Sequence, residues 1–83
     1  MNFRWNAWNV NHTTKHGCNI PEIEAVVRKA RRPWPRSIGN EKWMVEARGQ
    51  GGRMVRVVYL IDPPPDTIFV IHAMPLTTRR RRR

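Results

Sequence analysis

Two apolar runs near the C-terminal end leave little choice about the second half of this chain. Met54-Val-Arg-Val-Val-Tyr-Leu-Ile61 and Thr67-Ile-Phe-Val-Ile-His-Ala73 are rich in β-branched and aromatic residues, and Asp62-Pro-Pro-Pro-Asp66 stands between them. Each run has the length and composition of a strand, and three prolines cannot sit inside a ladder, so the segment reads as a hairpin with a stiff, slightly long connection. Cations interrupt the apolar pattern: Arg48, Arg53, Arg56 and His72 lie on these strands or at strand ends. A small sheet decorated in this way is a surface suited to an anion.

Charge points the same way. The chain has 83 residues, 16 Lys and Arg against 6 Asp and Glu, and a net charge of +10. All but Lys15, Lys29 and Lys42 of those cations are arginine, whose planar fork of donors matches phosphate and stacks on bases. Nucleic acid, an anionic membrane surface or an acidic protein would all satisfy that balance. The length allows one domain with a thin core. Cys18 is the single cysteine, which rules out an internal disulfide and a cysteine metal cluster. No apolar run reaches the length of a membrane span, and Met1-Asn-Phe-Arg-Trp5 lacks the pattern of a secretory signal. A soluble, cytoplasmic protein with no membrane partner is expected.

The first half reads as helical. Phe3–Trp5 suits an edge strand, and Asn6 is a fair N-cap for a helix running to about His16, with Trp5, Trp8, His12 and His16 on one packing stripe. Gly17 stops it. Asn19 and Ile20 lead into Pro21 and a second helix, with Glu22 and Glu24 early and Arg28, Lys29, Arg31 and Arg32 late, as the helix dipole favours. Ile20, Ile23, Val26, Val27 and Ala30 form its buried stripe, and Pro33 and Pro35 end it. Trp34 between those prolines is expected to be exposed. Arg36–Glu41 reads as a polar linker, Trp43–Arg48 as a strand and Gly49-Gln-Gly-Gly52 as a tight turn. The order β-α-α-β-β-β predicts an α+β fold with two N-terminal helices on one face of a small antiparallel sheet. The domain spans residues 1–76, and residues 77–83 form a basic tail ending in five arginines.

Period-two alternation sorts the strands. Trp43, Val45 and Ala47 share a face with Val55, Val57, Tyr59 and Ile61, and with Phe69, Ile71 and Ala73, and this face takes the helices. Arg48, Arg56 and His72 fall together on the opposite, mixed face, an assignment that one bulge would invert. An arginine can hold a scissile phosphate while a histidine exchanges a proton with a ribose or leaving oxygen. A solvated face with ordinary surface cations gives the same pattern. His12 and His16 have chelate spacing without further ligands nearby, so no metal and no cofactor is expected.

The motifs resemble those of the BrnT family of bacterial toxins. The resemblance rests on Phe3-Arg-Trp5, Lys15-His-Gly17, Pro21-Glu-Ile-Glu-Ala25, Glu41-Lys-Trp43, Ala47-Arg48, Gly52-Arg53, Ile71-His-Ala73 and Leu76-Thr77 in that order. It implies a RelE-like fold and a metal-independent endoribonuclease that stops translation, acting on RNA, including ribosome-associated mRNA. It implies a cognate antitoxin of ribbon-helix-helix type encoded alongside, with operator DNA bound only through the complex. The matching positions are Arg48, Arg53, Thr77, Lys15 and His16. The family commonly has arginine where this chain has Met74.

These readings combine into one expectation. Arg48 and Arg53 hold phosphate and His72 is the acid or base, while Lys15, Lys42, Arg56, Thr77, Arg79 and Arg80 bind RNA. The alternative is a degenerate toxin, a non-catalytic basic module that binds nucleic acid or the antitoxin.

Overall fold

The computed structural model describes residues 1–62 and 67–76. The chain is α+β: β1 (Asn2–Phe3), α1 (Ala7–Thr14), α2 (Ile20–Lys29), β2 (Arg36–Ser37), β3 (Trp43–Arg48), a 3₁₀ turn (Gln50–Gly52), β4 (Met54–Asp62) and β5 (Thr67–Pro75). The sheet has five strands in the order β1-β5-β4-β3-β2. β2 to β5 pair antiparallel, but β1 lies parallel to β5, so the sheet is mixed rather than wholly antiparallel. β2, expected as linker, is too short and polar to show any alternation. It exists because the turn after it, with Asn40 and Glu41 at positive φ, folds Ile38 back to donate its amide to the Lys42 carbonyl at 3.0 Å.

Local capping starts both helices. The Asn9 amide donates to Asn6 Oδ1 at 3.0 Å and the Asn6 amide to Asn9 Oδ1 at 2.7 Å, a reciprocal box that satisfies two otherwise orphan donors. Asn19 Oδ1 accepts from the Glu22 amide at 2.9 Å, with Pro21 in the first turn. α1 ends at Thr14, two residues sooner than expected, where the Gly17 amide turns back to the Thr14 carbonyl and Gly17 takes φ 94°. Lys15 and His16 are thereby placed on a turn rather than on the helix.

The core lies between α2 and the sheet. Ile23, Val26 and Val27 meet Val45, Val55, Val57, Tyr59, Ile68, Val70 and Ala73, all buried. Each such aliphatic side chain contributes about 1.5–3 kcal/mol on burial. The alternation expected for β3 holds, and that of β4 holds from Val55 to Tyr59, but Ile61, expected on the helix-covered face, is exposed near the end of the strand, and Val58 on the opposite face is buried. β5 departs further. Val58 pairs with His72 while Tyr59 pairs with Val70, so Ile71 is an extra, bulged residue. N-terminal to the bulge the faces swap: Ile68 and Val70 enter the core and Phe69 turns to the other side.

The two helices also divide the work differently from the expected layer. α2 packs on β3 and β4, whereas α1 packs on β5. Trp8 of α1 stacks on Phe69 with ring centroids 6.1 Å apart, and Phe69 faces away from α2. Trp8 is 50% exposed, not a core residue, while Asn9 and Thr13 are the buried positions of α1. Trp34, expected to be exposed, is half-buried against the core edge. Among the described residues no helix is long and apolar enough to cross a membrane.

Candidate functional site

The cross-strand register fixes where the expected site residues stand. On the face turned from α2, His72 pairs with Val58 and Val58 with Met44; Met74 pairs with Arg56 and Arg56 with Glu46; Met54 pairs with Arg48. His72, Arg56 and Arg48 therefore run diagonally across three strands. His72 and Arg48 are four residues apart along the strands and two strands apart across them, about 17 Å between Cα atoms. That is too far to clamp one phosphate and suits successive phosphates of a strand.

A tighter cluster forms at the His72 end. The His16 ring meets the His72 ring edge-on, with centroids 5.8 Å apart. His72 is half-buried and His16 exposed. Partial burial pushes the His72 imidazole below its ordinary pKa, and the nearby charges of His16, Lys15 and Arg56 push in the same direction. Arg56 is held over the sheet by Glu46, whose Oε2 accepts from Arg56 Nε at 2.7 Å. Beside this group Trp8 stacks on the His12 ring at 3.9 Å and His12 Nδ1 lies 2.7 Å from the Trp8 carbonyl, while Arg4 sits over Phe69 at 4.4 Å.

Arg53 stands elsewhere. Its Nη2 donates to Glu22 Oε1 at 2.7 Å and to the Gly17 carbonyl at 3.0 Å, and its Nε to Glu22 Oε2 at 3.1 Å. The Glu22 side chain is fully buried and also accepts the Gln50 amide at 2.7 Å. These bonds hold the Glu22 carboxyl below the ordinary carboxylate range, the Arg53 hydrogen bond contributing most. Arg53 thus ties the start of α2 to the Gly49–Gly52 turn, on the α2 side, instead of joining Arg48 and His72 around a phosphate. Gly49 is needed here, because a Cβ would overlap Glu22 Oε2 and lie 2.9 Å from Val55 Cγ2. Burial raises the Cys18 thiol pKa, and Glu22 nearby raises it further.

The remaining expected positions are scattered. Lys15 joins the His72 cluster. Lys42 lies in the β2–β3 turn, immediately before the start of β3, which is two strands from β5. Arg48 is exposed and donates from Nη1 to the Gly52 carbonyl at 2.8 Å. Thr77, Arg79 and Arg80 lie outside the described residues. Among the described residues no three His, Cys, Asp or Glu side chains gather into a metal-ligand group. Sequence reasoning missed the pairing of His16 with His72, since no local spacing links a helix-end turn to a strand 56 positions later. It also read Glu22 as a helix-dipole residue; no sequence signal marks it as buried.

No family model, curated protein or solved structure matches the chain.

Proposed function

We propose that the chain is a toxin-like endoribonuclease, cleaving RNA by internal transesterification without a metal. The observation that carries this reading is the pair of imidazoles, His16 against His72, flanked by Lys15 and Arg56. His72, whose pKa is pushed down by partial burial and by the neighbouring charges, takes the proton of a ribose 2′-hydroxyl, and that oxygen attacks the adjacent phosphorus. The bond from phosphorus to the 5′ oxygen breaks, His16 gives that oxygen its proton, and a 2′,3′-cyclic phosphate remains. Arg56 and Lys15 offset the charge that builds on the non-bridging oxygens. Holding the hydroxyl beside the phosphorus supplies much of the rate, and no protein nucleophile is required.

On this reading the chain arrests growth by destroying RNA and is neutralised by an antitoxin of ribbon-helix-helix type, as the BrnT resemblance implies. The RelE-like assignment of the fold belongs to the same proposal. A second reading, a non-catalytic basic module, is favoured by Met74. It pairs with Arg56 on the open face, at the position where the resemblance leads one to expect arginine. Incubating single-stranded RNA with the protein in excess chelator separates the two. Cyclic-phosphate products that fall by about 10²–10⁴-fold in His72→Gln, with an unchanged denaturation midpoint, support catalysis. Binding without products supports the module. Because the His72 pKa is depressed, the acid limb of the rate should fall at a pH below the ordinary histidine value of about 6.5.

A further inference from the structure

A second basic site lies at the outer edge of β3. β2 pairs only with Trp43 and Met44, so from Val45 to Arg48 that edge has no described strand beside it. A groove of about 390 Å³ opens there between Lys29 at the end of α2, Arg31 and Arg32 in the loop that follows, Trp34, and Glu46, Arg48 and Met54 of the sheet. Four of its side chains are cations. Its one carboxylate, Glu46, is already bound to Arg56.

The pairing of charges elsewhere makes this concentration informative. Arg4 is paired with Asp62, Arg28 with Glu24, Arg53 with Glu22 and Arg56 with Glu46. Among the described residues, no carboxylate pairs with Lys29, Arg31, Arg32 or Arg48. Arg48 is also fixed, since its Nη1 is tied to the Gly52 carbonyl and so presents the rest of the guanidinium at a set place. A groove whose unmatched charge is positive and whose wall is held by the sheet takes an anion without first having to break internal ion pairs.

We infer that this groove is a remote phosphate subsite for single-stranded RNA, binding backbone a few nucleotides away from the phosphodiester at His16 and His72. This rests on the ribonuclease reading for the identity of the strand. The diagonal from His72 through Arg56 to Arg48 is the track between the two sites, and Arg48 belongs to the groove as well as to the open face. Arg31 and Arg32 then grip the backbone by charge, independent of base sequence, while cleavage is set at the other end.

The test uses the full chain and an uncleavable 2′-O-methyl oligonucleotide, so that binding is read apart from cleavage. Arg31→Ala/Arg32→Ala, both on an exposed loop, should weaken binding of a 10-mer about tenfold at low salt. The slope of log affinity against log salt should become shallower by about 0.7 for each phosphate that the variant no longer neutralises. On a dinucleotide, too short to span both sites, the difference between variant and parent should vanish. Equal loss on both lengths, or none on either, overturns the subsite. Loss of polyglutamate binding in the variant with RNA affinity unchanged also overturns it, in favour of an acidic protein partner. Length-dependent binding in a protein that never cleaves RNA leaves the subsite standing and rejects the ribonuclease reading instead.

Discussion

Arg48 and Arg53 stand at the two ends of the same glycine-rich turn, and the fold uses them in opposite ways. Arg53 faces a fully buried carboxylate, and its side chain donates to the chain itself, to Glu22 and the Gly17 carbonyl. Arg48 is exposed, bound to one backbone carbonyl, and stands with Lys29, Arg31 and Arg32 in a groove short of negative charge. What separates them is the face of the sheet and the neighbour found there. A cation beside a buried acid is structural; a cation held in place without one is available to a ligand.

The sharpest way to break this contrast is Arg53→Ala. Removing one member of a pair whose other member is buried leaves an uncompensated carboxylate, and the urea denaturation midpoint should fall further than for any other substitution considered. A midpoint equal to the parent's would show that Arg53 is free after all. Gly49→Ala should follow, at about 1–3 kcal/mol, since the added methyl is driven into Glu22 and Val55. Both losses should be read alongside far-ultraviolet circular dichroism, which reports whether the sheet survives.

Acid sharpens the same comparison. Glu22 has a folded pKa below its unfolded value, so it binds more protons when the chain unfolds and stabilises the fold at any pH above that unfolded value. Its contribution is lost as pH falls through the unfolded and then the lower folded pKa. Glu22→Gln should flatten that part of a stability profile taken from about pH 6 to about pH 2. The smallest effect belongs to Arg48→Ala, which should change stability by no more than about 0.5 kcal/mol while weakening RNA binding. A large loss of stability there would erase the distinction between the two arginines.

Most of the elements were legible in the residues. Asn6, Asn19, Pro21 and Gly17 mark helix ends by local hydrogen bonding and φ, and β3 and the first part of β4 follow their alternation, which fails at Ile61 near the exposed end of β4. β2 was not legible, because two polar residues carry no period. The swap within β5 was not legible either. Ile68-Phe-Val-Ile71 is apolar at every position, so either face can be buried, and pairing with β4 decides which. The site divides in the same way. Alternation puts Arg48, Arg56 and His72 on one face, but it carries no distance, and only the register shows that they form a diagonal rather than a cluster.

By itself, then, the chain determined what acts over a few neighbouring residues: where helices start and stop, which runs are strands, and how much positive charge must be accommodated. The tertiary structure decided what depends on partners distant in sequence. It joined Glu22 to Arg53, brought His16 to His72 and left Lys29, Arg31, Arg32 and Arg48 without an ion-pair partner among the described residues. The physical reason is that capping and alternation are set by neighbours along the backbone, whereas burial, ion pairing and pKa are set by whatever the completed sheet brings within a few ångströms.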